Sequence, residues 1–357
     1  MRFSTLESAY KYAQTVCTDV HLPKKTAKAT IEMALPLDLS STNSDRTQDA
    51  LTAAHLYYLQ DLTMEAIARE LHTSRSSVSR LLEFARQTGL VDIQIRSPLD
   101  RSSEIEARLL ARFSIVGHVV PVPLQASEAD RLERVALSAA SILDRFFDSN
   151  MTLGIAWGST MSAISRHLLP RVTHNSQIVQ LNGAGNTRTS GIVYASEMLR
   201  RFGDAFGAHV EQFPVPAFFD DPITKQALWR ERSTIRVLDI QAAMDVAIFG
   251  VGSPLAPLRS HVYMGGYLEP EDYESLSRDR VVGDIATVFF REDGSYDGIA
   301  LNLRGSGSDL SILRRVARRV CVVSGISKVQ SIRGALAAGL VTDLIIDEST
   351  ARVLLGE

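Results

Sequence analysis

The chain of 357 residues is too long for one ordinary core and fits roughly two or three domains. Its 45% apolar and 22% charged residues exclude a disordered or fibrous protein, and no run of about 18 apolar residues offers a membrane span. A net charge of −3 excludes coating nucleic acid through bulk charge, so any DNA contact must be local. Cys17 and Cys321, the only cysteines, exclude a disulfide framework or a cysteine-built zinc site. The opening MRFSTLESAYKYAQ lacks an apolar signal core, which makes the cytoplasm the expected location.

Residues 1–46 read as an N-terminal extension, a mobile arm of unassigned function with Lys24, Lys25 and Lys28 as candidate phosphate contacts. From Gln48 to Gln87 the apolar period is helical. Met64, Ile67, Ala68 and Leu71 form one face, with Thr63 as N-cap and Glu65 in the first turn. Val78, Leu81, Leu82 and Ala85 form another after a cap at Thr73 or Ser74, and only a short turn separates the two. Two short amphipathic helices so joined, with a third over Gln48–Leu59, make a helix-turn-helix core.

The face opposite Val78 and Leu82 is centred on Ser76, Arg80, Glu83 and Gln87, with Ser77 and Ser79 on its flanks and Arg75 at the amino end. Arg75, Ser76, Ser77, Ser79 and Arg80 therefore form the candidate DNA-reading set: hydroxyl donors and arginine forks at the end of a recognition helix that reaches base edges. A solvated arginine face is the plain alternative. Gly89 suits the helix end, and Val91, Ile93 and Ile95 alternate with Asp92, Gln94 and Arg96 before Pro98, the pattern of a half-buried wing strand. Residues 47–100 thus read as a winged helix-turn-helix. Ser103 and Glu106 then suit a capping box for a linker helix bearing Ile105, Leu109, Leu110 and Phe113.

Over the rest of 101–357, the runs HVVPV, TLGIAWG, QIVQLNG, VEQFPV, VAIFGVG, IATVFF, CVVSG and DLIID alternate with amphipathic helices. That order predicts an α/β domain, a doubly wound, mostly parallel sheet covered on both faces. Four of the strands run into glycine turns, at Ser159-Thr160, Ala184-Gly185-Asn186, Ser253-Pro254 and Ile326-Ser327-Lys328. Ligands of open α/β sheets bind at the carboxyl ends of strands, where glycine admits close approach and a following helix offers unpaired N–H groups.

Singly, such turns commonly just reverse the chain. Together they mark a site, with Ser159 and Thr160 suited to an oxyanion or phosphate and Lys328 adding a point charge. Asp284, Asn302 and Arg304 suit sugar hydroxyls, against the plainer readings of a strand-end turn for Asp284 and an ion-paired face for Arg304. There is no P-loop, no complete GxGxxG and no HExxH, and His167, His174 and His209 read as surface or packing residues, so neither metal nor cofactor is expected.

The stretch LYYLQDLTMEAIARELHTSRSSVSRLLEFARQTGLVDIQI resembles the N-terminal domain of the SorC/DeoR-type bacterial sugar-responsive regulators. LGIAWGSTM, DVAIFGVGSP, GDIATVFFREDG, LNLR and KVQSIRGALAAGLVTDLIIDESTARVLL are similar to the successive signatures of its effector domain, so the likeness covers about residues 48–357. The resemblance implies a cytoplasmic homo-oligomer, often a tetramer built from dimers. It also implies an effector domain of the sugar-phosphate isomerase and glucosamine-phosphate deaminase fold, in which a sugar or sugar phosphate alters the grip on operator DNA. By position, its effector contacts fall on Gly158, Ser159, Thr160, Asn182, Gly183, Gly252, Asp284 and Lys328. Two departures stand out: His72 replaces a frequent turn glycine, and Asn186 stands where relatives can carry a charge.

The expected function is an effector-controlled transcription factor governing carbohydrate uptake or catabolism. The alternative, a sugar-phosphate isomerase or deaminase with an attached DNA module, needs an acid/base pair beside the glycine turns, and the sequence offers none. A DNA-binding protein whose large domain only oligomerises would leave four ligand-shaped turns unexplained.

Overall fold

The computed structural model describes residues 41–91, 101–123, 125–254, 256 and 260–357. The arm up to residue 40 and the wing strand beyond Val91 lie outside the described residues. The chain forms two compact units divided between Asp100 and Arg101.

In the first unit, helix α1 (Ser41–Ala54) runs into a π-helical turn (His55–Leu59), followed by α2 (Met64–Glu70) and α3 (Arg75–Gln87). Helix α1 begins well before the expected Gln48, because its upstream serines, threonine and asparagine carry no apolar period to announce it. Both caps form: the Thr63 hydroxyl accepts the Ala66 N–H at 3.2 Å, and Ser74, not Thr73, accepts the Ser77 N–H at 3.1 Å. The tight connection is possible because His72 takes a left-handed φ of 47°. Ile67, Ala68, Val78, Leu82 and Ala85 meet Ala50, Ala53 and Leu56 in one buried core. Leu82→Ala is expected to destabilise this unit by about 2–5 kcal/mol, read as an earlier urea transition of residues 41–91 with the second unit unchanged.

The second unit opens with α4 (Arg101–Phe113) and β1 (Val116–Val120). There follow α5 (Glu128–Leu143), β2 (Thr152–Ile155), α6 (Ser159–Ser165), β3 (Gln177–Gln180), α7 (Ile192–Phe206), β4 (His209–Glu211), α8 (Pro222–Leu228), α9 (Arg232–Ala242) and β5 (Val246–Phe249). The chain continues through α10 (His261–Met264), α11 (Pro270–Arg278), β6 (Gly283–Ile285), β7 (Val288–Phe290), α12 (Leu310–Arg315), β8 (Arg318–Val323), α13 (Val329–Ala337), β9 (Asp343–Asp347) and α14 (Glu348–Leu355). Seven strands pair in parallel in the order β1-β9-β8-β5-β2-β3-β4.

Alternation along each strand feeds two cores. Ile248, Val320 and Val322 pack with α5, α6 and α7, whereas Ala247, Phe249, Cys321 and Val323 pack with α4, α13 and α14. Helices therefore cover both faces of the sheet.

Three expectations need correction. IATVFF is not a sheet strand: it folds back as an antiparallel β6–β7 hairpin about Ala286 and Thr287, whose φ values of 49° and 64° are left-handed. Such a turn normally takes Asn or Gly, so the apolar run concealed it. VEQFPV contributes only Val210 and Glu211 to the sheet, after His209, since Phe213 and Val215 leave it to pack in a side core with Trp229 and Val237. Ser103 lies inside α4 rather than capping it, and Glu106 accepts the Val119 N–H at 2.8 Å, tying α4 to β1.

Candidate functional site

Strands β8, β5, β2 and β3 are neighbours, so the four glycine turns stand side by side at the carboxyl edge of the sheet. Residues from these strand ends border a small, partly open cavity of about 50 Å³. Gly158, Ser159 and Thr160 line it where α6 starts after β2, Asn182 lines it after β3, Gly252 after β5 and Lys328 after β8. Asp284 arrives from the β6–β7 hairpin.

Gly252 and Asp284 are locked together by paired backbone hydrogen bonds of 2.9 and 3.3 Å. A Cβ on Gly252 would sit 2.0 Å from Asp284 Oδ1, so no larger residue leaves that carboxylate in place.

Two buried polar atoms of the lining, Asn182 Oδ1 and Ser260 Oγ, have no hydrogen bond among the described residues, and the Tyr263 hydroxyl stands beside the Asp284 carboxylate. Buried polar groups are normally paired, so the first two are disposed toward a polar guest. Burial pushes the Asp284 carboxyl up to about 6, against the opposing pull of Tyr263, the Thr287 amide and the Lys328 ammonium. Burial likewise raises the Tyr263 hydroxyl, helped by the neighbouring carboxylate. Lys328 is held below the usual lysine range by burial, which Cys321, Asp284 and Glu128 only partly offset. Lys328 forms no ion pair or side-chain hydrogen bond with a described residue, leaving its charge for an incoming anion.

Because the folded chain holds the Asp284 proton more tightly than the unfolded chain, the cost of ionising it is absent below about pH 4 and complete above about pH 6. Between those limits stability is expected to fall as pH rises, by on the order of 3 kcal/mol. Asp284→Asn should flatten that slope in urea unfolding at pH 4.5 and 7; an unchanged slope would assign it to other groups.

Three sequence-derived candidates, Gly183, Asn302 and Arg304, stand outside the lining. The Gly183 N–H donates to Ser306 Oγ at 2.9 Å and its carbonyl accepts Trp157 Nε1–H at 2.7 Å. A Cβ at Gly183 would meet the Val215 carbonyl oxygen at 2.2 Å, so close backbone packing explains this glycine. Arg304 bonds the Asp272 carboxylate on α11 instead of facing the cavity. Asn302, also expected near a sugar, brackets Phe289 through its N–H at 2.7 Å and carbonyl at 2.9 Å.

Trp157, Ser260, His261 and Thr287 line the cavity without having been singled out in the sequence. Of the lining rings, Trp157 packs tilted 5.1 Å from Tyr267 and His261 packs 4.8 Å from Tyr194, so each is backed by a further aromatic ring. The tryptophan of AWG, directly before the first glycine turn, was the one available signal.

In the first unit, Ser76, Ser79 and Arg80 are exposed on α3 and Ser77 is half-buried. Ser76 and Ser77 share the capping hydroxyl of Ser74 at 2.8 and 2.9 Å. Arg75 pairs with Glu65 at 3.0 Å, but both are well exposed, so the pair is weak and exchangeable. Among the described residues no cluster of three or more His, Cys, Asp or Glu could hold a metal ion.

These features define a parallel α/β ligand-binding domain preceded by a small helical unit. Residues 97–356 match the Sugar-bind family of sugar-binding domains, and the chain belongs to that family. It is 30% identical over 316 residues to the deoxyribonucleoside regulator of Bacillus subtilis (strain 168), covering 88% of this chain and 99% of the relative. A domain of a possible sugar-binding transcriptional regulator from Arthrobacter aurescens TC1 superposes with a TM-score of 0.68 at 56% identity, covering 73% of this chain and all 100% of that one. The full-length sorbitol operon regulator SorC of Klebsiella pneumoniae shares the fold, with a TM-score of 0.66 at 24% identity over 87% of this chain and 99% of that chain. The Bacillus subtilis relative is a regulator, and the isomerase or deaminase alternative finds no support in it.

Proposed function

We propose that the protein is a DNA-binding transcriptional regulator whose hold on operator DNA is set by a sugar or sugar phosphate in the α/β cavity, governing carbohydrate uptake or catabolism genes. The observation that carries this reading is the convergence, in one cavity, of the Lys328 ammonium, the Asp284 carboxylate and Asn182 Oδ1, which has no hydrogen bond among the described residues. The cation and the start of α6 at Ser159 and Thr160 suit an anionic end, the acceptors suit hydroxyls, and Trp157 offers a face for an apolar sugar edge.

The helical unit supports the other half. Helices α2 and α3, joined through left-handed His72, present Arg75, Ser76, Ser77, Ser79 and Arg80 at the start of α3, as a winged helix-turn-helix presents its recognition helix. In this reading the protein works in the cytoplasm as a homo-oligomer matched to a two-fold operator. Among the described residues no helix is long and apolar enough to cross a membrane.

A thermal-shift panel of sugars, polyols and their phosphates tests the effector half, since a ligand specific to the folded state raises stability by about 2.7 kcal/mol at a hundredfold excess over Kd. A panel without any shift removes the sugar reading.

A further inference from the structure

The Lys328 turn is anchored from beneath. Gly325, which opens it with a left-handed φ of 101°, donates its N–H to Asp347 Oδ2 at 3.0 Å and to Thr350 Oγ1 at 3.1 Å. Its carbonyl accepts the Lys328 N–H at 3.1 Å, so the lysine backbone is one hydrogen bond from that anchor. Asp347 is fully buried at the end of β9. Its other oxygen accepts Arg131 Nη1–H from α5 at 2.8 Å and the Thr350 N–H at 3.1 Å, while the Thr350 hydroxyl donates to Oδ2 at 2.6 Å. One carboxylate therefore joins the turn, the start of α5 and the first turn of α14, and a buried carboxylate with this many donors has no slack.

At its far end α14 is fastened to α4. Arg112 Nη1–H donates to the Leu355 carbonyl at 2.7 Å, Arg108 bonds the Glu357 carboxylate, and Leu354 packs in one core with Ile105 and Leu109. Helix α4 is the segment that follows the first unit in the chain.

We propose that Asp347 is a positioning residue for the cavity, and that through α14, which it caps, the Lys328 turn and α4 move as one body. This rests on the regulator reading and assigns its signal route: an anion drawing Lys328 inward pulls on Gly325, Asp347 and the start of α14, and the Arg112 end carries the displacement to α4. Around Asp347 the hydrogen bonds are saturated, so a shift of the turn cannot be absorbed there without leaving a buried donor unpaired.

Hydrogen–deuterium exchange on the full chain tests the idea without effector or operator, so its failure is distinct from failure of the regulator reading. Thr350→Val keeps the shape but removes the bridging hydroxyl. It is expected to speed exchange at residues 325–329 and 109–113 by about tenfold, one hydrogen bond's effect, with residues 159–163 unchanged. Thr350→Ser restores the hydroxyl and should return both segments to the original rates. Arg112 is exposed, so Arg112→Ala leaves the fold intact; it should speed exchange at 325–329 by about threefold, although it touches none of those residues. An effect of Arg112→Ala that stops at residues 101–113 and 353–357, or one equally large at 159–163, overturns the proposal.

Discussion

Arg80→Ala is expected to weaken binding to an operator duplex by roughly ten- to a hundredfold, the range of one good base contact, without changing the unfolding transition. Arg80 is exposed on α3 and has no partner among the described residues, so its removal takes nothing from the core formed by Val78, Leu82 and Ala85. Arg75→Ala should cost less, because Arg75 must first give up Glu65 and that exposed pair is worth about 0–1 kcal/mol. In a chain with net charge −3, little bulk attraction remains to hide the loss. Gel-shift titration against the promoter of the protein's own operon decides the matter; unchanged affinity for Arg80→Ala would move DNA reading off α3.

Thr160→Glu is expected to abolish the thermal shift given by any phosphorylated sugar while leaving operator affinity intact. Thr160 is buried at the start of α6, where its hydroxyl lies close to Gly250, so a glutamate there would put a second carboxylate opposite the anion. Like charges in a low-dielectric cavity repel by several kcal/mol, more than the shift itself. Lys328→Met separates the ligand's parts: a phosphate ester should lose affinity by tenfold or more, and a neutral sugar far less. A full shift retained in both variants would place the effector elsewhere.

What could be read in advance was whatever the chain decides locally. Thr63 and Ser74 announce helix starts because an N-cap hydroxyl is satisfied within three residues. The glycine turns after AW, LN, FG and VS mark strand ends because a parallel strand must reverse into a helix within a few residues. Errors appeared where local preference met distant partners. For Arg304 the sequence left a sugar contact and an ion-paired face open, and Asp272 on α11 decided for the ion pair. Gly183 looked like a ligand turn until the Val215–Pro216 backbone packed against it. Ala286 and Thr287 carry no turn signature, and the hairpin they form is held from outside, by the Gly252–Asp284 bridge and the Gly307 N–H on Thr287 Oγ1.

By itself the sequence determined the division into a helical unit and an α/β domain, the residues presented at the start of α3, and the loops from which a ligand site could be drawn. Each follows from periodicity, capping and glycine placement, which act over a few residues. Only the tertiary structure decided that the four strands carrying those loops are neighbours in the sheet, that Asp284 enters from a hairpin to face Lys328, and that Asp347 ties the Lys328 turn to α14. Strand order and buried charge pairs depend on contacts between residues far apart in the chain, and no short-range pattern encodes which of them will meet.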